Sequence, residues 1–361
     1  MKLGIVGGGQ LGRMLGQAAI PLGIRCVFLE PGASPSAAVA GEVIRADYDD
    51  RAALDALAAR CDAVTYEFEN VPVDAARHLA AQVPLFPPPQ ALEKAQDRLV
   101  EKRFFQAQGL QTAAFAPVDD EASLADAVAQ LGLPAILKTR RLGYDGKGQR
   151  RLSTEAEVPG AFAALGGVPC ILEKVVPFER EVSVLAVRNG AGEVRTWPLV
   201  QNIHKDGILH YTLAPAPETG PATQALADDY ARRVTDALDY VGVIAIELFQ
   251  VGDSLLANEF APRVHNSGHF SIEGALTSQF ENHVRAGLGL PLGATDIPIP
   301  HGCANLLSTQ PPLAKLLAVE SARVHLYGKS ERPGRKLGHV TVAGVTLAEV
   351  RDRLGRLLTL A

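Results

Sequence analysis

The residues best suited to metal chemistry sit in one stretch, VIAIELFQVGDSLLANEF, which carries Glu247, Asn258 and Glu259. VIAIELFQV is apolar on both faces, the pattern of a buried central strand, and Glu247 falls in its middle. A buried carboxylate is costly unless it is paired or bound to a metal. A tight turn at Gly252-Asp253 folds the chain back, which predicts Glu247 opposite Asn258 and near Glu259. Two carboxylates and an amide form a hard-oxygen set suited to Mg²⁺, which in such settings bridges nucleotide phosphates. The competing reading is an ion pair from Glu247 to Arg263.

Phosphate-binding chemistry is suggested upstream. Gly143, Tyr144, Asp145, Gly146, Lys147, Gly148 and Gln149 read GYDGKGQ, after an apolar strand that ends at Lys138. Glycines let backbone N–H groups approach an anion, and the two lysines add charge. No Walker A pattern is present, and D-G alone also suits a plain hairpin turn. Further on, Glu173, Lys174, Val175 and Val176 end an apolar strand before Pro177. A strand edge of this kind can read a purine through its backbone, with Glu181 available for ribose hydroxyls. A crossover with solvated charges is the alternative.

Two polar runs lie beyond the hairpin. Arg263, His265, Asn266, Ser267 and His269 fall within RVHNSGH, a density that suits a small oxyanion such as bicarbonate. Two histidines four apart, with no third ligand nearby, are weak grounds for zinc. Lys329, Arg332, Arg335 and Lys336 in GKSERPGRK suit either a phosphate monoester or a solvated basic loop. At the other end, Gly7, Gly9 and Gly12 satisfy G-x-G-x-x-G after an apolar run, and Glu30 closes the next one. This is the fingerprint of a dinucleotide-binding turn, so a nicotinamide enzyme is a rival reading.

The elements that must position these groups follow from the pattern. Residues 1–90 alternate strands with helices, which implies a parallel sheet. The Pro-rich VPLFPPPQ marks a boundary, and a charged helix over Ala91 to Gln108 follows, stopped by Gly109. Residues 91–180 form a smaller unit with the Gly-rich loop. Residues 181–361 hold longer strands, two long helices flanking the last strand pair, and a closing helix with a Thr346/Glu349 capping box. The 361 residues allow two or three domains, and a net charge of -5 argues against nucleic-acid binding. No apolar run spans a membrane and no signal-peptide pattern opens the chain. Cys26, Cys61, Cys170 and Cys303 form no C-x-x-C pair, so buried thiols in a reduced, cytoplasmic protein are expected.

In order and spacing, GIVGGGQLGRML, TYEFENV, QDRLVEKRFF, GYDGKGQ, EKVVPFERE, NEFAPRVHNSGH and RPGRKLGH resemble the ATP-grasp superfamily. Within it they are similar to the N5-carboxyaminoimidazole ribonucleotide synthetase family. The resemblance implies an α/β and α+β ATP-grasp fold with an N-terminal Rossmann-like pre-ATP-grasp domain and a small C-terminal region. It implies a homodimer and a carboxylation of 5-aminoimidazole ribonucleotide that consumes ATP and bicarbonate, in purine biosynthesis, with Mg²⁺. A downstream mutase would take the product.

Carried onto this sequence, the resemblance implies that Arg98, Lys138 and Gly143 to Gln149 hold the ATP phosphates. Glu173 to Val176 would read adenine, with Glu181 on the ribose and His204 also at the ATP site. Glu247 and Glu259, with Asn258, would hold Mg²⁺. Arg263, His265 and Asn266 would handle bicarbonate or carboxyphosphate, with His265 the preferred general base. Gly9, Gln10, Leu11, Glu67, Tyr144, Lys329, Arg332 and Arg335 would face the ribonucleotide. On this reading the N-terminal turn can seat a phosphate but carries no nicotinamide, and Glu30 has no cofactor ribose to bind.

Overall fold

The computed structural model describes residues 1–143 and 147–360. Its first sheet contains β1 (Lys2–Val6), β2 (Arg25–Leu29), β3 (Glu42–Ile44) and β4 (Ala63–Tyr66), in the order β3-β2-β1-β4. All three pairings are parallel. Alternation along β1 serves both faces. Leu3 and Ile5 pack with Met14 and Leu15 of the helix Gln10–Ala19. Val6 packs on the other side with Leu54 and Leu57 of the helix Arg51–Arg60. The βαβ alternation legible in the sequence is therefore a doubly covered parallel sheet.

The charged helix expected over Ala91 to Gln108 is two helices, Pro89–Ala95 and Arg98–Ala107. Asp97 causes the break. Its backbone is extended, and its Oδ1 accepts the N–H groups of Leu99 and Val100 at 3.0 and 3.3 Å. An N-cap aspartate offers a better partner for those orphan donors than a continuous helix would. Arg98 thereby becomes the first residue of a helix whose N-terminus faces the site.

The second sheet is antiparallel, with β5 (Phe115–Val118), β6 (Ala135–Thr139), β7 (Gln149–Leu152) and β8 (Cys170–Lys174) in the order β5-β8-β6-β7. Its apolar face packs Val118, Leu137 and Leu172 against Leu124 of the helix Glu121–Leu131. The Gly-rich segment connects β6 to β7, with Lys138 in register with Gln149. It is a hairpin connection in topology, but the loop between the strands is far longer than a two-residue D-G turn.

The third sheet has nine strands. They are β9 (Arg180–Arg188), β10 (Val194–Thr196), β11 (Val200–Lys205), β12 (Ile208–Ala214), β13 (Gly242–Val251), β14 (Ser254–Ala261), β15 (His301–Leu307), β16 (Arg323–Leu326) and β17 (Lys336–Ala343). The order is β14-β13-β9-β11-β12-β15-β17-β16, with β10 beside β9. Ile244 and Ile246 of β13 bury against the helix Pro221–Ala237, while Val243 and Ala245 bury against the helix Gln279–Gly287. Of the two long helices expected here, the first has 17 residues and the second only 9. The RVHNSGH segment takes the intervening chain as a 3-10 turn, Asn266–Gly268.

Helix Leu347–Leu358 closes the fold. Thr346 caps it by accepting from Glu349 N at 3.3 Å, but Glu349 Oε2 accepts from Val345 N at 3.0 Å rather than from Thr346. The four cysteines are free; three are buried and Cys61 is half-buried. Among the described residues no helix is long and apolar enough to cross a membrane.

Candidate active site

The hairpin of β13 and β14 departs from the expected register by one residue. Glu247 lies opposite Glu259, and Leu248 lies opposite Ala257. Asn258 is the extra residue of a β-bulge, not the partner of Glu247. A bulge kinks its strand and re-aims side chains. Here Asn258 and Glu259 line the same cavity as Glu247, although they are neighbours in sequence. Glu247 is not paired with Arg263. Its Oε1 meets His265 Nε2 at 3.1 Å. Burial pushes the Glu247 carboxyl up, but His265 outweighs it and holds the group at about 2.

These donors fit a magnesium ion. The hairpin presents two carboxylates and an amide, all oxygen donors, on one wall. Among the described residues no three His, Cys, Asp or Glu side chains converge on one point. Most positions of an octahedral Mg²⁺ would then fall to water and phosphate oxygens, the usual pattern for this ion.

The cavity, about 380 Å³, lies between the second and third sheets. Arg98, Lys138, Gly143 and Gln149 line it from one side, and Glu181 and His204 from the other. Arg98 NH1 donates to Glu259 Oε2 at 2.7 Å, and its NH2 donates to the Gly143 carbonyl at 3.1 Å. Gly148 has φ +69°, and an added Cβ would stand 2.6 Å from Thr139 Oγ1, so this turn requires glycine. Tyr144, Asp145 and Gly146 lie outside the described residues. His204 Nδ1 hydrogen-bonds Glu181 Oε2 across paired strands. Burial pushes the imidazole down, yet Glu181 more than offsets it and raises the pKa above the ordinary value.

The segment from Glu173 to Val176 does not line the cavity. Glu173 Oε2 accepts from Lys138 Nζ at 3.0 Å. Lys174 Nζ donates to the Leu133 carbonyl at 3.0 Å. The N–H groups of Lys174 and Val175 donate to Ala114 and Pro134 carbonyls at 2.8 and 3.3 Å, which removes both from a base-reading edge.

The polar run after β14 splits. Arg263 lines the cavity, with Nε donating to Glu69 Oε2 and NH1 to the Val264 carbonyl. Burial raises the Glu69 carboxyl, but Arg263 prevails and holds it at about 2. His265 spans Glu247 and Ser267, whose Oγ lies 2.9 Å from Nδ1. Asn266 lines the cavity, and both its amide atoms are buried without a partner. Buried polar atoms are nearly always satisfied, so this amide is the strongest local sign of a small polar ligand. His269 is elsewhere: it is buried against Phe280 and His339, with its pKa driven well below the ordinary value by burial.

The N-terminal turn corrects two expectations. Three of its glycine donors are occupied by carboxylates of the chain itself. Gly8 N donates to Glu30 Oε2 at 2.8 Å, while Gly9 N and Gly12 N donate to the two oxygens of Glu67. Carboxylates thus take three of the N–H groups where a phosphate was expected. Glu30 also accepts from Gly32 N at 2.9 Å and Tyr48 Oη at 2.7 Å, so it is a structural acceptor rather than an idle strand end. Burial raises the Glu67 pKa, against the pull of the Gly12 and Gly9 bonds. Leu11 is buried in the apolar core with Met14, so its side chain faces no ligand. Gln10 does meet the C-terminal region, where its Oε1 accepts from Lys329 Nζ. Arg335 instead bonds its own loop through Ser330 Oγ at 2.8 Å, and Arg332 is exposed.

Four residues around this site carried no sequence signal of a role: Glu69, Glu101, Lys102 and Gln279. Gln279 is fully buried and holds His265 on both backbone sides, accepting from its N–H at 2.9 Å and donating to its carbonyl at 2.6 Å. Glu69 stands inside TYEFENV, and Glu101 and Lys102 inside QDRLVEKRFF, so only Gln279 lies outside the stretches that carry the resemblance.

Comparison with known proteins places this geometry. Residues 103–280 match the ATP-grasp domain, residues 1–96 the ribonucleotide synthetase preATP-grasp domain, and residues 303–353 the phosphoribosylaminoimidazole carboxylase C-terminal domain. The chain is 51% identical over 354 residues to the N5-carboxyaminoimidazole ribonucleotide synthase of Pseudomonas aeruginosa, covering 98% of each. It is 42% identical to that of Bacillus subtilis, covering 94% of this chain and 90% of the other. The crystal structure of the Thermus thermophilus synthetase superposes with a TM-score of 0.96 at 53% identity, over 99% and 98% of the two chains. An Aspergillus clavatus synthase, solved with ADP and 5-aminoimidazole ribonucleotide, gives 0.93 at 33% identity over 99% and 98%. The chain belongs to the N5-carboxyaminoimidazole ribonucleotide synthase family of ATP-grasp ligases.

Proposed function

We propose that the chain carboxylates 5-aminoimidazole ribonucleotide at its exocyclic amine, using ATP and bicarbonate and releasing N5-carboxyaminoimidazole ribonucleotide, ADP and phosphate. The observation that carries this reading is the unpartnered Asn266 amide, buried on the wall of a cavity that also holds Arg98, Lys138, Glu247, Glu259 and His265. An oxyanion subsite beside a polyphosphate subsite is what a bicarbonate-activating enzyme requires.

Bicarbonate is a weak nucleophile, repelled by the γ-phosphate it must attack. Arg98 and Lys138 reduce that repulsion on the phosphate side, and Arg263 and Asn266 orient the bicarbonate. Glu247 and Glu259 would hold Mg²⁺, which when bound would supply neutralisation of phosphate charge. A bicarbonate oxygen bonds to the γ-phosphorus as the bond to ADP breaks. The ribonucleotide amine then attacks the carboxyl carbon of carboxyphosphate, inorganic phosphate leaves, and one amine proton is given up. His265, held between Glu247 and Ser267, is the group placed to take it. Gln10 and Lys329 hold the ribonucleotide, and Glu181 and His204 the ATP ribose. The same reading gives a cytoplasmic homodimer with no nucleic-acid or membrane partner, whose labile carbamate passes to a downstream mutase in purine biosynthesis.

Labelled bicarbonate tests it. With ¹³C-bicarbonate, Mg-ATP and 5-aminoimidazole ribonucleotide, a carbamate ¹³C resonance should grow with ADP. ADP formation without labelled carbamate would overturn the carboxylation.

A further inference from the structure

One face of the helix Arg98–Ala107 grips the bulged strand of the hairpin. Residues at i, i+3 and i+4 of a helix share a face, and here these are Arg98, Glu101 and Lys102. Arg98 bonds Glu259 at 2.7 Å. Glu101 Oε1 accepts from Phe260 N at 2.7 Å. Lys102 Nζ donates to the Ala257 carbonyl at 3.3 Å and to Asn258 Oδ1 at 3.4 Å. Its third contact crosses to the second sheet, where Glu173 Oε2 lies at 3.4 Å. That same oxygen is 3.0 Å from Lys138 Nζ. Glu173 Oε1 is buried with no partner, so both lysines converge on one oxygen.

We infer that Lys102 is a positioning residue for phosphoryl transfer: through Glu173 it fixes Lys138 of the second sheet against the Asn258 bulge of the third. The inference rests on the assignment of Lys138 to phosphate and of the hairpin to the metal. Lys102 is 1% exposed and Glu173 3%, and neither lines the cavity, so they act from behind it. Lys102 hydrogen-bonds two acceptors on the third sheet and forms an ion pair with Glu173 on the second. A shift of either sheet would lengthen at least one of these contacts. Glu173 thereby acquires a role through its carboxylate, distinct from the backbone reading of adenine.

The test compares Lys102→Met, Lys138→Met and the double variant in bicarbonate-dependent ADP release. Lys102→Met leaves Glu173 paired with Lys138, so no buried charge is orphaned and folding should survive, as a melting curve would check. The expected result is a kcat lowered at least tenfold in Lys102→Met with KM for the ribonucleotide within twofold of wild type. The double variant should be no slower than Lys138→Met alone, because both changes disable one unit. Multiplicative losses, or wild-type kcat in Lys102→Met beside a strong loss in Lys138→Met, would overturn the inference alone. Wild-type turnover in Lys138→Met would overturn the phosphate assignment and the inference with it. Should the methionine variant not fold, Lys102→Gln is read by the same criteria.

Discussion

Arg98 and Glu259 hold each other across the cavity, guanidinium NH1 to carboxylate Oε2 at 2.7 Å, while the same guanidinium reaches the Gly143 carbonyl. One side chain thus joins the expected metal hairpin to the Gly-rich loop. Replacing Glu259 by Gln keeps the shape and removes the charge that both Arg98 and a metal would use. Bicarbonate-dependent ADP release should fall by at least about a hundredfold, the scale seen when a preorganised electrostatic group is lost. Near-wild-type turnover would contradict the metal assignment.

Gly268 is packed against Gln279 and Leu185. An added Cβ would stand 2.3 Å from Leu185 Cδ2 and 2.6 Å from Gln279 Cδ. Gly268→Ala should therefore displace the amide that holds the His265 backbone, lowering kcat about tenfold or more. The overpacking should also destabilise the fold by roughly 1–3 kcal/mol in urea titrations. An unchanged kcat would mean that Gln279 does not set the His265 loop.

The His204–Glu181 pair gives a pH signature. Glu181 raises the imidazole pKa above 6.5 despite burial. The pair's contribution is therefore complete below that ordinary value and is lost as pH rises through the raised one. On the proposed ATP assignment, KM for ATP should climb over that alkaline window in the wild type. His204→Asn should remove the climb, and Glu181→Gln should move it to lower pH. A KM profile identical in all three proteins would contradict a role for the pair in ATP binding.

Lys329 joins the C-terminal region to Gln10 of the N-terminal turn. Burial lowers its pKa, offset in part by Glu67. Lys329→Ala should raise KM for the ribonucleotide by about ten- to a hundredfold, as expected for a lost charged hydrogen bond of about 1.5–3 kcal/mol. KM for ATP should change little. Equal changes in both constants would argue against a ribonucleotide subsite at this joint.

How far the sequence reveals this site depends on the length scale of the signal. The strand carrying Glu247 is legible because an apolar run bounded by V-G-D-S has one reasonable folding, and the parallel first sheet follows from its alternation. The bulge at Asn258 is not legible, since a turn sequence does not report a one-residue register slip farther along the strand. The helix break at Asp97 was open to reading: an aspartate before Arg-Leu-Val-Glu is an N-cap pattern, obscured by the continuous charge around it. The filling of the glycine turn by Glu30 and Glu67 could not be read. G-x-G-x-x-G reports a backbone able to bind an anion, and only the packed structure shows that the chain supplies its own. Gln279 and Lys102 escaped for the same reason, because their partners are distant in sequence.

The most direct test of the central claim is ADP release from Mg-ATP and 5-aminoimidazole ribonucleotide in degassed buffer, with and without added bicarbonate. The account predicts release that depends on bicarbonate and saturates with it. ADP release that ignores bicarbonate, or none at all from a protein that binds ATP, would contradict it.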